Sequence, residues 1–195
     1  SILMQNYRQF IHQEYGVRQL LVEHTHFNDP EKREHIRRLL IRAAQQKTIL
    51  IVNYNDPVSD EENRKMELAI RRSHGDQVVE CVDNDETAAV IANLVHAKKL
   101  VLMTSTEGIY RDPADPKTLV EQVTAKSMEE LEEKVRQLQE SCVGASRAGA
   151  NGAKAKLEYA LKSARQGTMV IIGHARHRLS DLVEGRVACT RIGLE

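Results

Sequence analysis

Short apolar runs rich in branched side chains alternate with amphipathic stretches along this chain. Such runs predict buried strands, and apolar residues that recur every three or four positions predict helices. The predicted strands are 17–25, 48–55, 77–82, 98–105, 168–175 and 187–193. Three predicted helices are 3–15, 85–97 and 127–141. A fourth is capped by Asn28, Asp29 and Pro30, and a fifth runs through Lys162. This alternation predicts an α/β fold with a largely parallel sheet.

Composition narrows the class of protein. The chain has 195 residues, of which 41% are hydrophobic and 29% charged, as expected for one globular domain over 1–195. The chain has 28 basic residues (Lys and Arg) and 28 acidic residues (Asp and Glu), so its formal net charge is zero. No overall electrostatic field therefore attracts nucleic acid or an anionic membrane. No apolar run reaches the roughly 20 residues that span a bilayer, and the first residues do not resemble a signal peptide. Three distant cysteines predict no disulfide framework, so we expect a cytoplasmic protein.

Polar side chains follow the predicted strands, and ligands of open parallel sheets bind beyond the carboxyl ends of strands. These residues are Asn53, Asn55 and Asp56; Asp83, Asn84 and Asp85; Thr104 and Ser105; and Gly173 and His174. The Asn and Asp clusters are suited to binding the ammonium and carboxylate groups of a small polar substrate. The alternative is that they form turns and helix caps, as these residue types usually do.

A segment rich in small residues precedes the helix that runs through Lys162. Gly149, Asn151 and Gly152 let backbone N–H groups approach an anion, and Lys156 adds a positive charge. The segment is neither a Walker A loop nor a dinucleotide fingerprint, so an ordinary surface loop is the alternative. His24, His26, His174 and His177 complete no recognisable metal site, and we predict structural or solvent-facing roles for them.

Four segments in order resemble the amino acid kinase family, and within it the enzymes that phosphorylate glutamate. IVNYNDPV (51–58) resembles the family's strand ending in Asn-Glu-Asn-Asp, and 82–113 resembles its Gly-Asp-Asn-Asp helix, leucine-rich strand and Gly-Leu-Tyr loop. Residues 149–175 resemble its glycine loop, lysine helix and following strand, and 184–190 its terminal Glu-Gly–Gly-Thr segment. The 82–113 block is the most specific of these matches.

The resemblance implies a three-layer αβα sandwich with a mainly parallel central sheet, which binds ATP and Mg²⁺. It further implies transfer of the γ-phosphoryl group to the side-chain carboxylate of glutamate. By position, Asp56 and Asn84, beside Asn55, would hold the glutamate, and Asp85 would orient the catalytic lysines. The nucleotide site would be formed by Thr104, Ser105, the 109–111 stretch with Tyr110, and the loop containing Gly149, Asn151 and Gly152. Lys156 would stabilise charge on the transferring phosphoryl group.

The sequence also departs from the family pattern. Ser105 stands where the family has Asp, and Tyr54 where it has Glu. No counterpart is expected for the family's N-terminal strand and phosphate loop, or for a C-terminal RNA-modification-like domain.

These departures leave other acceptors open as alternatives, namely aspartate, acetylglutamate, carbamate or a nucleoside monophosphate. A degenerate domain that binds nucleotide or amino acid and regulates a partner is a further alternative, as is an unrelated α/β binding module. The family also implies a homo-oligomer.

Overall fold

The computed structural model describes residues 2–55, 61–74, 78–80, 84–112, 114–141 and 152–195. The chain divides into two compact units, Ser1–Thr87 and Ala88–Glu195, which are described separately. A single domain over 1–195 stays a prediction. No helix within the described ranges is both long and apolar enough to cross a membrane.

The first unit is built around a pair of parallel strands. Its elements are α1 (Ile2–Phe10), β1 (Gly16–Val22), α2 (His24–Asn28), α3 (Pro30–Gln45), β2 (Thr48–Tyr54), α4 (Glu61–Ser73) and the start of α5 (Asn84–Leu94). The β1–β2 register runs from Gly16 opposite Thr48 to Val22 opposite Tyr54, so both strands end at one edge. A parallel pair needs a crossover connection, and α2 and α3 supply it here.

Helix α3 begins as the sequence predicts. The carboxylate of Asp29 accepts hydrogen bonds from the N–H groups of Glu31 and Lys32 at 2.9 and 3.0 Å. Pro30 occupies the first turn, where its missing N–H costs no hydrogen bond. Ile36 and Ala43 are the buried residues of this helix.

The second unit has a mixed sheet with helices on both faces. Its strands are β3 (Lys99–Thr104), β4 (Gln122–Ala125), β5 (Met169–His174) and β6 (Thr190–Leu194), in the order β3-β5-β6-β4. The β3–β5 and β4–β6 pairs are parallel, and β5–β6 is antiparallel. The helices are the rest of α5, α6 (Met128–Ser141), α7 (Ala153–Ala164) and α8 (Leu179–Glu184). The predicted α/β class with mainly parallel strands is confirmed.

The two faces of this sheet follow the alternation of side chains along each strand. Val170 and Ile172 face a core that includes Leu131, Val135 and Leu157 from α6 and α7. Ile171, between them, packs with Leu182 of α8 and Cys189 on the opposite face. One strand therefore contributes to two hydrophobic clusters.

Several predicted elements require correction. The first strand ends at Val22 instead of Thr25, because the Glu23 N–H donates to His26 Nδ1 at 3.0 Å and a helical turn begins. His24 and His26 therefore lie in α2 and not on a strand. In the predicted strand 77–82, the described residues 78–80 form no strand. The N–H and C=O of Val79 bond instead to the side-chain amide of Asn28, both at 2.8 Å.

Besides α2, three further helices and strands were absent from the prediction. The polar stretch 60–76 contains the helix α4, and β4 and α8 occupy segments that were assigned no element. Strand β4 has four residues and α8 has six. Elements this short give too few periods of the hydrophobic pattern to be recognised from sequence.

Candidate active site

In the first unit, the ends of β1 and β2 hold Asn55 in one orientation. The Asn55 N–H donates to the carbonyl of Val22 at 2.8 Å, which extends the strand pairing by one residue. Its side-chain Nδ2 donates to Glu23 Oε1 at 2.7 Å. The structure thus places Asn55 at the strand edge, as the sequence predicts, whereas Asp56 lies outside the described residues.

The residues that surround Asn55 were missed as site residues. Glu23 follows β1 directly, and its carboxylate is the acceptor for Asn55. Buried His24 lies 3.3 Å from the Tyr54 hydroxyl, measured from Nδ1. The sequence could have identified Glu23. Ligands of parallel sheets bind beyond the carboxyl ends of strands, and this rule, which selected Asn55 after β2, holds equally for the residue after β1, its parallel neighbour.

Asn84 and Asp85 lie in the first turn of α5. Asn84 is exposed and Asp85 half-buried, and an acidic residue there interacts favourably with the positive end of the helix dipole. The preceding 78–80 segment is fixed by the Asn28–Val79 hydrogen bonds and by an ion pair between Arg72 and Glu80. Residues 78–80 are therefore connected by hydrogen bonds to α2, which follows β1.

In the second unit, the ends of β3 and β5 lie side by side. Thr104 is opposite His174 in the parallel register, and the Ala175 N–H donates to the Thr104 carbonyl at 2.8 Å. Ser105 follows and is exposed. Tyr110 is half-buried and forms an isolated bridge with Leu119.

The loop from Ser105 to Tyr110 is attached to the sheet at its far end. The Ile109 N–H donates to the buried Thr190 hydroxyl at 2.8 Å. A Cβ on Gly108 would lie 2.4 Å from Thr190 Oγ1 and 2.9 Å from the Thr190 nitrogen. Glycine is therefore the residue that permits this close approach of loop and strand.

Lys156 lies in the first turn of α7, which leads into β5. The helix has 12 residues, about 18 Å, and β5 has six, about 20 Å. Gly167, with a φ of +79°, makes the turn between them. Because the turn is short and the lengths match, the start of α7 lies near the carboxyl end of β5. We therefore expect Lys156, which is half-buried, at the same edge as Thr104 and Ser105.

The start of α7 is chemically suited to a phosphate group. Gly152 precedes the helix and has no side chain to cap it, so the first backbone N–H groups can point towards an anion. Lys156 adds a cation one turn further along. Gly149 and Asn151 of the predicted loop lie outside the described residues.

A divalent metal would need oxygen ligands at this edge. Within the described ranges, no group of three or more His, Cys, Asp or Glu residues is placed to hold a metal ion. Mg²⁺ in nucleotide sites usually keeps several waters and is bound through phosphates with one or two carboxylates.

Comparison with known proteins gives matches over most of the chain. The family model described as "Amino acid kinase family" matches residues 1–174. Glutamate 5-kinase of Geobacillus thermodenitrificans (strain NG80-2) is 30% identical over 198 residues, which cover 100% of this chain and 47% of that protein. Glutamate 5-kinase 1 of Bacillus subtilis (strain 168) is 28% identical over 197 residues, which cover 99% and 48%. The chain thus spans about half the length of the curated relatives it matches.

A solved structure supports the fold alone. Carbamate kinase from Giardia lamblia bound to AMP-PNP superposes with a TM-score of 0.54 at 14% identity. The match covers 82% of this chain and 44% of that one.

Proposed function

Since this chain belongs to the amino acid kinase family, we propose that it catalyses the phosphorylation of glutamate by ATP. In the proposed reaction, a side-chain carboxylate oxygen of glutamate forms a bond to the γ-phosphorus as the bond from that phosphorus to ADP breaks. The products are an acyl phosphate and ADP, and proline biosynthesis is the pathway proposed for them. The main support is the match of the full chain to proteins named glutamate 5-kinase.

Residues of the first unit are proposed to bind the amino acid. Asn55 is oriented by Glu23, and Asn84 is presented at the start of α5. Asp56 is proposed to bind the substrate ammonium group. Asp85 is proposed as the second catalytic residue besides Lys156.

Residues of the second unit are proposed to bind ATP with Mg²⁺. Thr104, Ser105 and Tyr110 are proposed to contact the nucleotide on the β3 side, and the predicted loop with Gly149, Asn151 and Gly152 is proposed to supply backbone N–H groups to its phosphates. Bound Mg²⁺ would neutralise charge on the phosphates. Lys156 is suited to stabilise the negative charge of the transferring group, because phosphoryl transfer depends mainly on positioning and cationic stabilisation.

The first experiment measures ADP release with ATP and Mg²⁺, with and without glutamate. Hydroxylamine in the assay traps an acyl phosphate as a hydroxamate, which identifies the group that was phosphorylated. We expect ADP release that depends on glutamate, with hydroxamate formed in equal amount. ADP release that depends on aspartate, acetylglutamate, carbamate or a nucleoside monophosphate instead would contradict the assignment of glutamate.

The role of Lys156 is tested with a matched pair of lysine variants. We expect Lys156→Ala to lower kcat by about 10²–10³-fold, as loss of a group that stabilises transition-state charge does. Lys154→Ala changes an exposed lysine of the same helix turn and should leave kcat within about twofold. Equal rates for both variants would remove Lys156 from the mechanism.

Binding of glutamate or nucleotide without turnover would favour a regulatory binding domain over a kinase. If calorimetry shows that the protein binds glutamate or nucleotide while no ADP forms, a regulatory binding domain replaces the kinase proposal. Self-association, which the family suggests, is tested separately by sedimentation equilibrium.

A further inference from the structure

Three side chains in the second unit, Glu107, Arg176 and His177, form a cluster that we call the Glu107 clamp. His177 Nε2 lies 2.7 Å from Glu107 Oε2, and Arg176 forms an ion pair with Oε1 of the same carboxylate. The side chains of Glu107 and His177 are only 17% and 21% exposed, whereas that of Arg176 is 63% exposed. Both carboxylate oxygens therefore have a partner.

The clamp connects two segments that are far apart in the sequence. Glu107 belongs to the loop after β3, which contains Ser105 and Tyr110, and His177 belongs to the turn after β5. The two residues are 70 positions apart. Since Thr190 fixes the other end of the same loop through Ile109, the loop is held at two separate points.

The turn that carries the two partners is itself ordered by hydrogen bonds. The Arg176 N–H donates to His174 Nδ1 at 3.0 Å, and the His177 N–H donates to the His174 carbonyl at 3.1 Å. The rings of His174 and His177 meet edge to face, with centroids 6.3 Å apart. Glu107 thus binds to a turn whose shape is fixed by local contacts.

We infer that the Glu107 clamp is a positioning device that holds the 104–110 loop in its nucleotide-binding conformation before the nucleotide arrives. This inference rests on the proposed function, because it takes Thr104, Ser105 and Tyr110 as nucleotide-binding residues. A loop that is already ordered loses less conformational freedom on binding, and the affinity for the ligand rises accordingly. The clamp residues need not touch the nucleotide to have this effect.

The test compares Glu107→Ala, His177→Ala and His177→Gln with the unchanged protein. Glutamine places an amide nitrogen near the position of the histidine Nε2, so His177→Gln should keep the hydrogen bond to Glu107. We expect both alanine variants to weaken the binding of AMP-PNP with Mg²⁺ about tenfold in calorimetry, and His177→Gln to restore most of the affinity. In the kinase assay the KM for ATP should rise similarly, while the KM for glutamate and kcat stay within about twofold.

Hydrogen exchange and a double variant distinguish positioning from general stability. Amides of residues 104–111 should exchange faster in the alanine variants, while those of α6 and α7 should not. The Glu107→Ala/His177→Ala double variant should bind no more weakly than Glu107→Ala alone, because the loss of Glu107 already removes its contact with His177. Glu132→Ala, which removes the exposed ion pair between Glu132 of α6 and Arg165 at the end of α7, is the matched control and should leave AMP-PNP affinity unchanged.

The failing outcomes can be told apart. If the unchanged protein binds AMP-PNP and the clamp variants bind it equally well, the positioning role is overturned while the proposed kinase function stands. An equal loss of affinity in Glu132→Ala would also overturn it, since the effect would then be one of general stability. If the unchanged protein binds no nucleotide, the clamp inference and the proposed function both fail.

Discussion

Gly108 shows how a single residue determines the position of a whole loop. Its missing side chain lets the loop backbone approach Thr190, whose hydroxyl then accepts the hydrogen bond from Ile109. The fragment Gly108-Ile109-Tyr110 was part of the most specific sequence resemblance. The structure supplies a physical reason for glycine at this position.

We predict that Gly108→Ala destabilises the protein by about 1–3 kcal/mol, the usual cost of forcing extra atoms into a packed site. The new Cβ would overlap not only the Thr190 hydroxyl but also its backbone nitrogen, which cannot rotate away. Urea denaturation measures the free energy of unfolding. Ser105→Ala, at an exposed position of the same loop, is the control and should change it by less than about 0.5 kcal/mol. A Gly108→Ala variant as stable as this control would show that Thr190 does not limit the approach.

Glu107 and Glu23 illustrate what residue-by-residue interpretation of the sequence misses. The sequence assigned no role to either residue, although Glu107 lies in the 82–113 block, and each acts through a partner distant in sequence, His177 for Glu107 and Asn55 for Glu23. A charged residue in a polar loop is usually solvated, so the sequence gave no reason to select Glu107, whereas the strand-end rule applied to β1 would have selected Glu23. Their contribution depends on which strand ends become neighbours.

At the scale of elements, α3 is the clearest case of local sequence determining structure. Its N-cap Asp29 and its proline in the first turn lie within one segment, and both agree with the prediction from sequence. Its exposed face carries a further local feature, because Arg37 and Arg38 both donate to Glu34 at 2.7 and 2.8 Å. Mainly through the hydrogen bond from Arg37, these contacts lower the pKa of Glu34 from 4.5 to about 2.

This pKa shift predicts a pH-dependent contribution to stability. Because the pKa of Glu34 is lower in the folded protein, the contribution is complete above about pH 4.5 and disappears as the pH falls towards 2. We therefore expect Glu34→Gln to lower the Tm at pH 6 and to have progressively less effect below pH 4.5. Since the side chains are exposed, added salt should reduce the difference at pH 6. A Tm difference that is the same at pH 6 and pH 2.5 would contradict the assignment.

Elements that depend on pairing were harder to predict than α3. β4 is four residues long and is a strand because it pairs with β6 in parallel, from Gln122 opposite Arg191 to Ala125 opposite Leu194. Residues 78–80 were predicted as part of a strand and form none. The side-chain amide of Asn28 makes hydrogen bonds to the N–H and C=O of Val79, which a neighbouring strand would otherwise bind. Strand formation thus depends on what lies beside a segment as well as on its sequence.

For the molecule as a whole, ligand binding should be visible as increased thermal stability. A ligand at 100 times its Kd that binds only the folded state adds about 2.7 kcal/mol to the free energy of unfolding. For a chain of this size, about 1 kcal/mol shifts the Tm by roughly 2–4 °C. We therefore expect saturating AMP-PNP with Mg²⁺ to raise the Tm by several degrees.

Mg²⁺ alone and inorganic phosphate at the same concentration are the controls for this shift, and neither should reproduce it. Lys156→Ala should show a smaller increase at equal nucleotide concentration, because it lacks the cation at the start of α7. An identical Tm with and without nucleotide would argue against a nucleotide site in this chain.

The sequence by itself determined the alternation of strands and helices, the α/β class and the membership of the amino acid kinase family. These properties are encoded locally, because burial on one face imposes a period of two on strands and of about 3.6 on helices. It also identified Asn55, Thr104 and Ser105 as residues at the ends of strands. Only the tertiary structure decided which of these side chains are held in place and by what. The bonds of Asn55 to Glu23 and of Glu107 to His177 span 32 and 70 positions, and such contacts exist only once parallel strands bring their carboxyl ends together.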